Sequence, residues 1–410
     1  MFKQTIGVVL AASAAVFAAG CVAPNGESDI RESDAPAVAS ENGLSSINGL
    51  SSINGLSSIN GLSSINGLSS INGLSSINGL SSINGLISTD GFSTMSYIVR
   101  CALPAGHTIT MKDLAGNPMP LTGQLGVAPT WETGACDASC QQAVSACVLA
   151  HVNTSGQHIP LWLDSAIPSL GWGQSVDYPF NEGSFFGNIF VSPPKAYYCN
   201  GKDFAFGVVP GRLGATQTGS PYTNPIGYNA LCTQGCTAQG TDGFTSCSAN
   251  GVSYPKVVTV WRNFSPNAQY KICSRAFGRC LAVVGSSTTD NAQIEQRTYS
   301  SAATQKWTIT TVSPGIYKIL NVNSGKALDG AIAANSAMVQ KAYANTTTQN
   351  WKTVSMKDGT GFFQLIPVAA GTGSASATNP TTGNNVEGNI MRMTNYVQAD
   401  YQKWSIELAN

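Results

Sequence analysis

The chain has 410 residues, with 21 Lys plus Arg balanced by 21 Asp plus Glu, and only 10% of its side chains are charged. That length allows two or three domains, and so sparse and balanced a charge offers no basic surface for a phosphate backbone, which argues against nucleic acid as a partner. The polar content is Ser, Thr, Asn, Gln and Gly, suited to an exported, turn-rich β protein.

At the N-terminus, Lys3 precedes an apolar stretch over residues 6–19, too short for a comfortable mature anchor and shaped like an export signal. It ends in Ala18-Ala19-Gly20-Cys21, which resembles a bacterial lipobox with Ala18 where Leu is usual. The resemblance implies a signal peptide over 1–20, lipidation of Cys21 and tethering of a soluble protein to the cell envelope, at the outer membrane or cell surface. The alternative is an ordinary cleaved signal. Besides Cys21 there are ten cysteines: Cys101, Cys136, Cys140, Cys147, Cys199, Cys232, Cys236, Cys247, Cys273 and Cys280. An even set in an exported chain points to disulfides. Cys273 and Cys280 flank a six-residue turn and could face each other across a hairpin.

Residues 21–41 lack periodicity and read as a disordered tether. The hexad Asn42-Gly43-Leu44-Ser45-Ser46-Ile47 then recurs seven times without a mismatch through Ile83, followed by decayed copies at 84–89 and 90–95. A strict three-residue apolar step drifts around a helix, and Gly in every hexad opposes one. The tract, 42–95, reads as a stalk, either a flexible spacer or a short left-handed β solenoid.

Residues 96–262 read as a disulfide-rich α+β domain of unknown function. Segments 96–102, 107–111, 159–163, 185–191 and 257–261 look like strands. One clear helix is expected over 137–152, with Cys140, Val144, Cys147 and Val148 on one face and Asp137 near its N-cap. The x3 spacings of Cys136/Cys140 and Cys232/Cys236 occur among zinc ligands, but export favours disulfides, and His107, His151 and His158 form no metal motif; neither metal nor cofactor is expected. No Gly-x-Ser-x-Gly elbow occurs. Asp164, Asp177 and Glu182 stand near Trp162, Trp172, Tyr178, Phe185 and Phe186, an aromatic set that lines either a saccharide groove or the core.

From residue 263 the chain repeats itself. Tyr270-Lys271-Ile272-Cys273, Tyr317-Lys318-Ile319-Leu320 and Phe363-Gln364-Leu365-Ile366 lie 47 and 46 residues apart, and each leads to a Gln-x-Trp ending at Trp307, Trp351 or Trp404. This pattern over 263–410 resembles the ricin-type β-trefoil lectins. The resemblance implies three four-stranded units, a core Trp in each, a motif Gln that satisfies neighbouring backbone, and sugar binding. In that family a competent unit uses an Asp in its second strand, a Gln and an aromatic before the motif, and an Asn beside the motif Gln. The middle unit matches with Asp329, Gln340, Tyr343, Asn345 and Gln349, although Ala342 and Thr348 stand at the expected aromatic and Asn positions. The first unit has Ala282 for the Asp, with Glu295 at the Gln position, Arg297 at the aromatic one and Tyr299 two further; the third has a Ser/Ala run at 374–377, with Tyr396 and Tyr401.

The expected whole is a multidomain, mainly β protein: a surface-tethered, carbohydrate-binding lipoprotein with one competent sugar site, its partners a glycan or polysaccharide and the membrane that holds its lipid. Alternatives are a secreted carbohydrate-active hydrolase targeted by its trefoil, or a structural envelope protein.

Overall fold

A computed structural model describes residues 46–47, 89–112, 116–152, 159–191, 194–213, 227–239, 243–330, 333, 335–356, 360–370, 376–377 and 386–409. All of them belong to one compact unit, Val38–Asn410. Cys21, the tether and all of the seven identical hexads except Ser46–Ile47 lie outside the described residues.

The first half is a six-stranded sheet with both faces covered. Its order is β1 (Ser46–Ile47), β4 (Pro160–Asp164), β11 (Val257–Arg262), β5 (Phe180–Asn188), β6 (Lys195–Asn200) and β7 (Gly227–Leu231). All neighbours run antiparallel except β6 and β7. β5 and β11 are buried along their whole length, so the apolar run 257–261 has no polar alternation to show. A hairpin of β2 (Thr108–Lys112) and β3 (Pro118–Thr122) stands beside the sheet.

Helices α1 (Thr89–Ala102) and α2 (Ala138–Ala150) cover one face. Asp137 caps α2 by accepting the Cys140 N–H at 2.8 Å. Every residue from Ala143 to Ala150 is buried, because the helix is sandwiched between sheet and α1. Residues 96–102, expected as a strand, are instead the C-terminal half of α1, so the domain has two long helices rather than one. Met95, Ile98, Val99 and Ala102 are fully buried at helical spacing. A short, continuous apolar run fits either element by periodicity; packing on α2 and the Cys101–Cys147 bond decide for helix.

The other face carries a three-stranded antiparallel sheet: β8 (Cys236–Gln239), β9 (Gly243–Ala249) and β10 (Val252–Tyr254). Phe186, Phe244, Tyr254 and Val257 form its core with the Cys199–Cys232 and Cys236–Cys247 bridges.

The second half closes into a trefoil of twelve strands, β12–β23. The six barrel strands are β12 (Tyr270–Ser274), β15 (Trp307–Ser313), β16 (Ile316–Asn321), β19 (Asn350–Ser355), β20 (Phe363–Pro367) and β23 (Trp404–Leu408), paired in a ring. The remaining six are β13 (Cys280–Val283) and β14 (Ile294–Arg297), β17 (Ala327–Asp329) and β18 (Val339–Lys341), and β21 (Ser376–Ala377) and β22 (Met393–Thr394), which form one hairpin per unit. The opening aromatic of each unit pairs with its closing Trp: Tyr270 with Trp307, Tyr317 with Trp351, Phe363 with Trp404. Cys273 and Cys280 are bonded across the β12–β13 hairpin.

The two halves share a core. Phe264 packs 5.3 Å from Tyr270 and 5.0 Å from Tyr317, and Phe180 of β5 lies 4.4 Å from Phe264 and 5.7 Å from Phe363. These two rings plug the barrel end lined by the three opening aromatics. Val208 and Val209 join the same cluster, and Leu408 N–H donates to Gly207 O at 2.8 Å. Burial at this seam pushes the Tyr270 hydroxyl up to about 12. Residues 96–262 and 263–410 therefore pack as a continuous body rather than as beads on a string.

Candidate functional site

The motif Gln is a clip, and all three copies make the same two bonds. Gln305 accepts from Ser300 N–H (2.8 Å) and donates to Thr298 O (2.8 Å); Gln349 accepts from Ala344 N–H (2.8 Å) and donates to Ala342 O (2.9 Å); Gln402 accepts from Val397 N–H (2.7 Å) and donates to Asn395 O (2.7 Å). The clip holds a turn whose residue six before the Trp is left-handed: Ser301, Asn345 and Gln398, with φ of 60°, 56° and 62°. Trp307, Trp351 and Trp404 are fully buried. Trp307 donates to Leu281 O and Trp351 to Leu328 O, at 3.3 and 2.9 Å. Gly330 has no room for a side chain, since an added Cβ would meet the Trp351 ring at 2.7 Å.

At the hairpin end the pseudo-threefold axis is written in backbone bonds. Ile294 N–H donates to Met338 O, Met338 N–H to Met391 O, and Met391 N–H back to Ile294 O, at 2.9, 2.8 and 2.7 Å. Each of these residues lies thirteen before its Trp. Eight before each Trp is a tyrosine, Tyr299, Tyr343 or Tyr396. That equivalence was legible in the sequence by counting back from the Trp, and matching forward from the Asp hid it.

In the middle unit, Asp329 closes β17 opposite Val339. It is 4% exposed, its nearest cation is Lys341 Nζ at 3.8 Å, and among the described residues no N–H or O–H donates to its carboxylate. Tyr343 donates to Asn345 Oδ1 and Asn350 Oδ1, both at 3.0 Å, and Asn350 Nδ2 donates to Asn345 Oδ1 at 2.9 Å. Asn350 is a member of this network that the sequence reading missed. Its signal was its place inside the Gln-x-Trp motif itself.

Gln340 and Gln349 play a different part. Gln340 is fully buried; its amide donates to Ser287 O and Thr289 O at 2.9 and 3.0 Å and accepts from Ser324 Oγ at 2.6 Å. Both glutamines thus belong to the trefoil's frame, which leaves Asp329, Tyr343 and Asn345 of the five candidates outside it. In the first unit, Leu281 pairs with Gln296 as Leu328 pairs with Gln340. Gln296, not Glu295, is therefore the counterpart of Gln340. Glu295 stands opposite Ala282, and Arg297 Nε donates to its carboxylate at 2.5 Å. In the third unit, Ala377 pairs with Met393, which places the counterpart of Asp329 at residue 378, outside the described residues, along with 374–375. Tyr396 donates to Met356 Sδ at 3.5 Å, and Tyr401 is half-buried.

Asp164, Asp177 and Glu182 do not assemble into one centre. Arg212 Nε donates to both oxygens of Glu182 at 2.9 Å and Arg262 Nη1 stands 3.6 Å away, so Glu182 is tied between two buried guanidinium groups. The cavity that Glu182 and Arg212 line includes neither Asp164 nor Asp177. Asp164 accepts the Gly173 N–H at 3.1 Å, and burial raises its pKa. Asp177 offers its backbone carbonyl to Asn263 Nδ2.

The five aromatics also separate. Trp162 donates to Gly173 O and packs 5.5 Å from Trp172 and 6.2 Å from Tyr178, under the loop they share. Phe185 packs with Tyr198 on the helix side, and Phe186 with Tyr197 on the other. Of the two alternatives for these aromatics, groove or core, the structure has core and loop packing.

Cys136 and Cys140 are bonded to each other, while Cys232 and Cys236 bond Cys199 and Cys247. The two places where three metal-type ligands converge among the described residues, around His151 and around Cys236, consist of disulfide sulfurs plus that histidine. His107 meets Glu132 at the surface, and His158 lies outside the described residues.

The family model "Ricin-type beta-trefoil lectin domain-like" matches residues 259–339 and 303–389, two frames of one repeat. No curated protein matches the chain. Among solved structures, a designed 3-fold symmetric protein, ThreeFoil, is similar at 27% identity and TM-score 0.32, over 34% of this chain and 97% of that one. The Rhizoctonia solani agglutinin is similar at 17% identity and TM-score 0.31, over 36% and 99%. The Macrolepiota procera ricin B-like lectin, in complex with lactose, is similar at 16% identity and TM-score 0.30, over 36% and 99%.

Proposed function

The C-terminal region is a ricin-type β-trefoil lectin-like domain, and we propose that it binds carbohydrate through its middle unit, in an exported protein held to the bacterial envelope by a lipid on Cys21. The observation that carries the sugar reading is Asp329. Asp329 is a nearly buried carboxylate whose nearest cation, Lys341 Nζ, stands 3.8 Å away, and the frame bonds beside it are already made by Gln340 and Gln349. Sugar hydroxyls are the donors such a carboxylate suits, with the Tyr343–Asn345–Asn350 network supplying further polar contacts. The segment over 21–41 serves as the spacer between lipid and folded body, because the first hexad already supplies edge strand β1 and the tract's last residues begin α1.

The test is a glycan panel read with the full-length chain and with Asp329→Ala. A loss of tenfold or more with an unchanged melting curve supports the site, and undiminished binding rejects it. Tethering is tested separately: labelled fatty acid should enter the wild type and not Cys21→Ala.

A further inference from the structure

The three trefoil units differ at one strand position in a way that bears on ligand charge. The residue after each opening aromatic is Lys271, Lys318 or Gln364, and its cross-strand partner is Glu407, Thr310 or Val354. In the first two units the equivalent tyrosine stands over the lysine of the pair. Lys271 Nζ lies 5.2 Å from the centre of the Tyr299 ring and 3.0 Å from Glu407 Oε2, so its charge is neutralised. Lys318 Nζ lies 5.0 Å from the centre of the Tyr343 ring, but Thr310 stands where the first unit has its glutamate. Among the described residues no carboxylate pairs with Lys318. The third unit carries no charge at this position.

A second lysine adds to the excess. Lys352 follows the middle motif Trp, where the other units have Thr308 and Ser405. Asn350 pairs with Lys318 and Lys352 with Ile316, so strand alternation puts Asn350, Lys318 and Lys352 on one face. Beside them sit Tyr343 and Asn345. This face therefore offers ammonium donors without an anion, next to amide and phenol groups that read hydroxyls. The Tyr343 ring holds the Lys318 ammonium in place through its π face.

Resting on the carbohydrate reading above, we infer that the middle unit selects a saccharide bearing an anionic group, a carboxylate or a sulfate, which Lys318 engages by charge-assisted hydrogen bonds.

The experiment uses the full-length chain and three sets built on one α-1,4-galactose oligosaccharide backbone: the neutral oligosaccharides, the corresponding oligogalacturonides and their O-sulfated forms. The inference expects one or both anionic sets to bind about tenfold tighter than the neutral set, equivalent to one net charge-assisted contact, with the margin shrinking as salt rises. Lys318→Gln should abolish the preference. Thr310→Glu, which rebuilds the first unit's ion pair, should abolish it as well, while Lys271→Gln should leave it intact. The carboxylated and sulfated sets distinguish the two anions. Equal affinity for neutral and anionic sets, or a preference that survives both Lys318→Gln and Thr310→Glu, overturns the inference alone. Binding to none of the three sets and to no member of the glycan panel overturns the carbohydrate reading and this inference with it.

Discussion

The trefoil buries three motif tryptophans, secures each with the same two-bond glutamine clip, and carries one disulfide, Cys273–Cys280. The domain before it repeats nothing and is cross-linked by four disulfides around helices, sheet and loops. A repeated fold supplies its own internal standard: what all three units share is frame, and what one unit does differently is a candidate for function. By that standard Gln349 and Trp351 are frame, whereas Asp329, Thr310 beside Lys318, and Lys352 are departures. The first half offers no such standard, so its carboxylates had to be judged one at a time from their partners.

The sharpest way to break this comparison is at the seam. Phe180 belongs to the sheet of the first half but fills the trefoil's barrel end. Phe180→Ala should cost roughly 3–5 kcal/mol and split one calorimetric transition into two. A single transition with little loss would show that Phe180 is not what couples the two halves. For the same reason, a fragment starting near residue 263 should expose an apolar barrel end and melt below the full chain.

Cross-links come next. The chain-entropy account gives about 4 kcal/mol for Cys101–Cys147, whose separation is 46 residues, and about 2.5 kcal/mol for Cys273–Cys280, whose separation is 7. Removing each pair as a double Ala substitution and measuring denaturant midpoints should preserve that order. An equal or inverted loss would mean that the trefoil relies on its bridge more than its repeated frame suggests.

Acid should affect the first half before the second. His151 is fully buried, with Nδ1 2.8 Å from Cys147 O, and burial lowers its pKa from 6.5 to about 4. Between those values the unfolded chain takes up a proton that the folded one refuses. The stabilisation is therefore complete above pH 6.5 and falls away as pH drops towards 4, by about 3 kcal/mol in all. Melting temperatures across that window should fall for the wild type and flatten for His151→Asn; a parallel slope in both would exonerate this histidine.

The smallest effect is the clip. Gln349→Ala leaves the Ala344 N–H and Ala342 carbonyl to water in an exposed turn, for a loss of about 1–2 kcal/mol. Gln305→Ala and Gln402→Ala should match it to within about 0.5 kcal/mol, within the scatter of ordinary single substitutions. If one unit stands well apart, the threefold equivalence of the frame is not energetic.

Much of this was legible beforehand for a physical reason. The Gln-x-Trp spacing encodes a local hydrogen-bond clip and one buried ring per unit, and the order of elements follows from repetition. Asp137 likewise announced the start of α2 through local capping chemistry. Residues 96–102 were misread because a short apolar run has the same composition in a buried helix as in a buried strand. Glu295 sits one residue off the Gln column: counted back from the Trp, Gln296 and Gln340 each lie eleven residues before it, and the cross-strand pairs Leu281–Gln296 and Leu328–Gln340 agree.

By itself, then, the sequence determined whatever depends on neighbours along the chain: the threefold trefoil, its tryptophans, the capped helix and the hexapeptide tract. Only the tertiary structure decided which polar groups are already satisfied and which are not. It assigned Gln340 to the loops of the first unit and Glu182 to two arginines, it left Asp329 without a hydrogen-bond donor among the described residues, and it placed Thr310 rather than a glutamate across from Lys318. Hydrogen-bond and charge satisfaction is a property of contacts between residues far apart in sequence, and it separates a binding residue from a structural one of the same type.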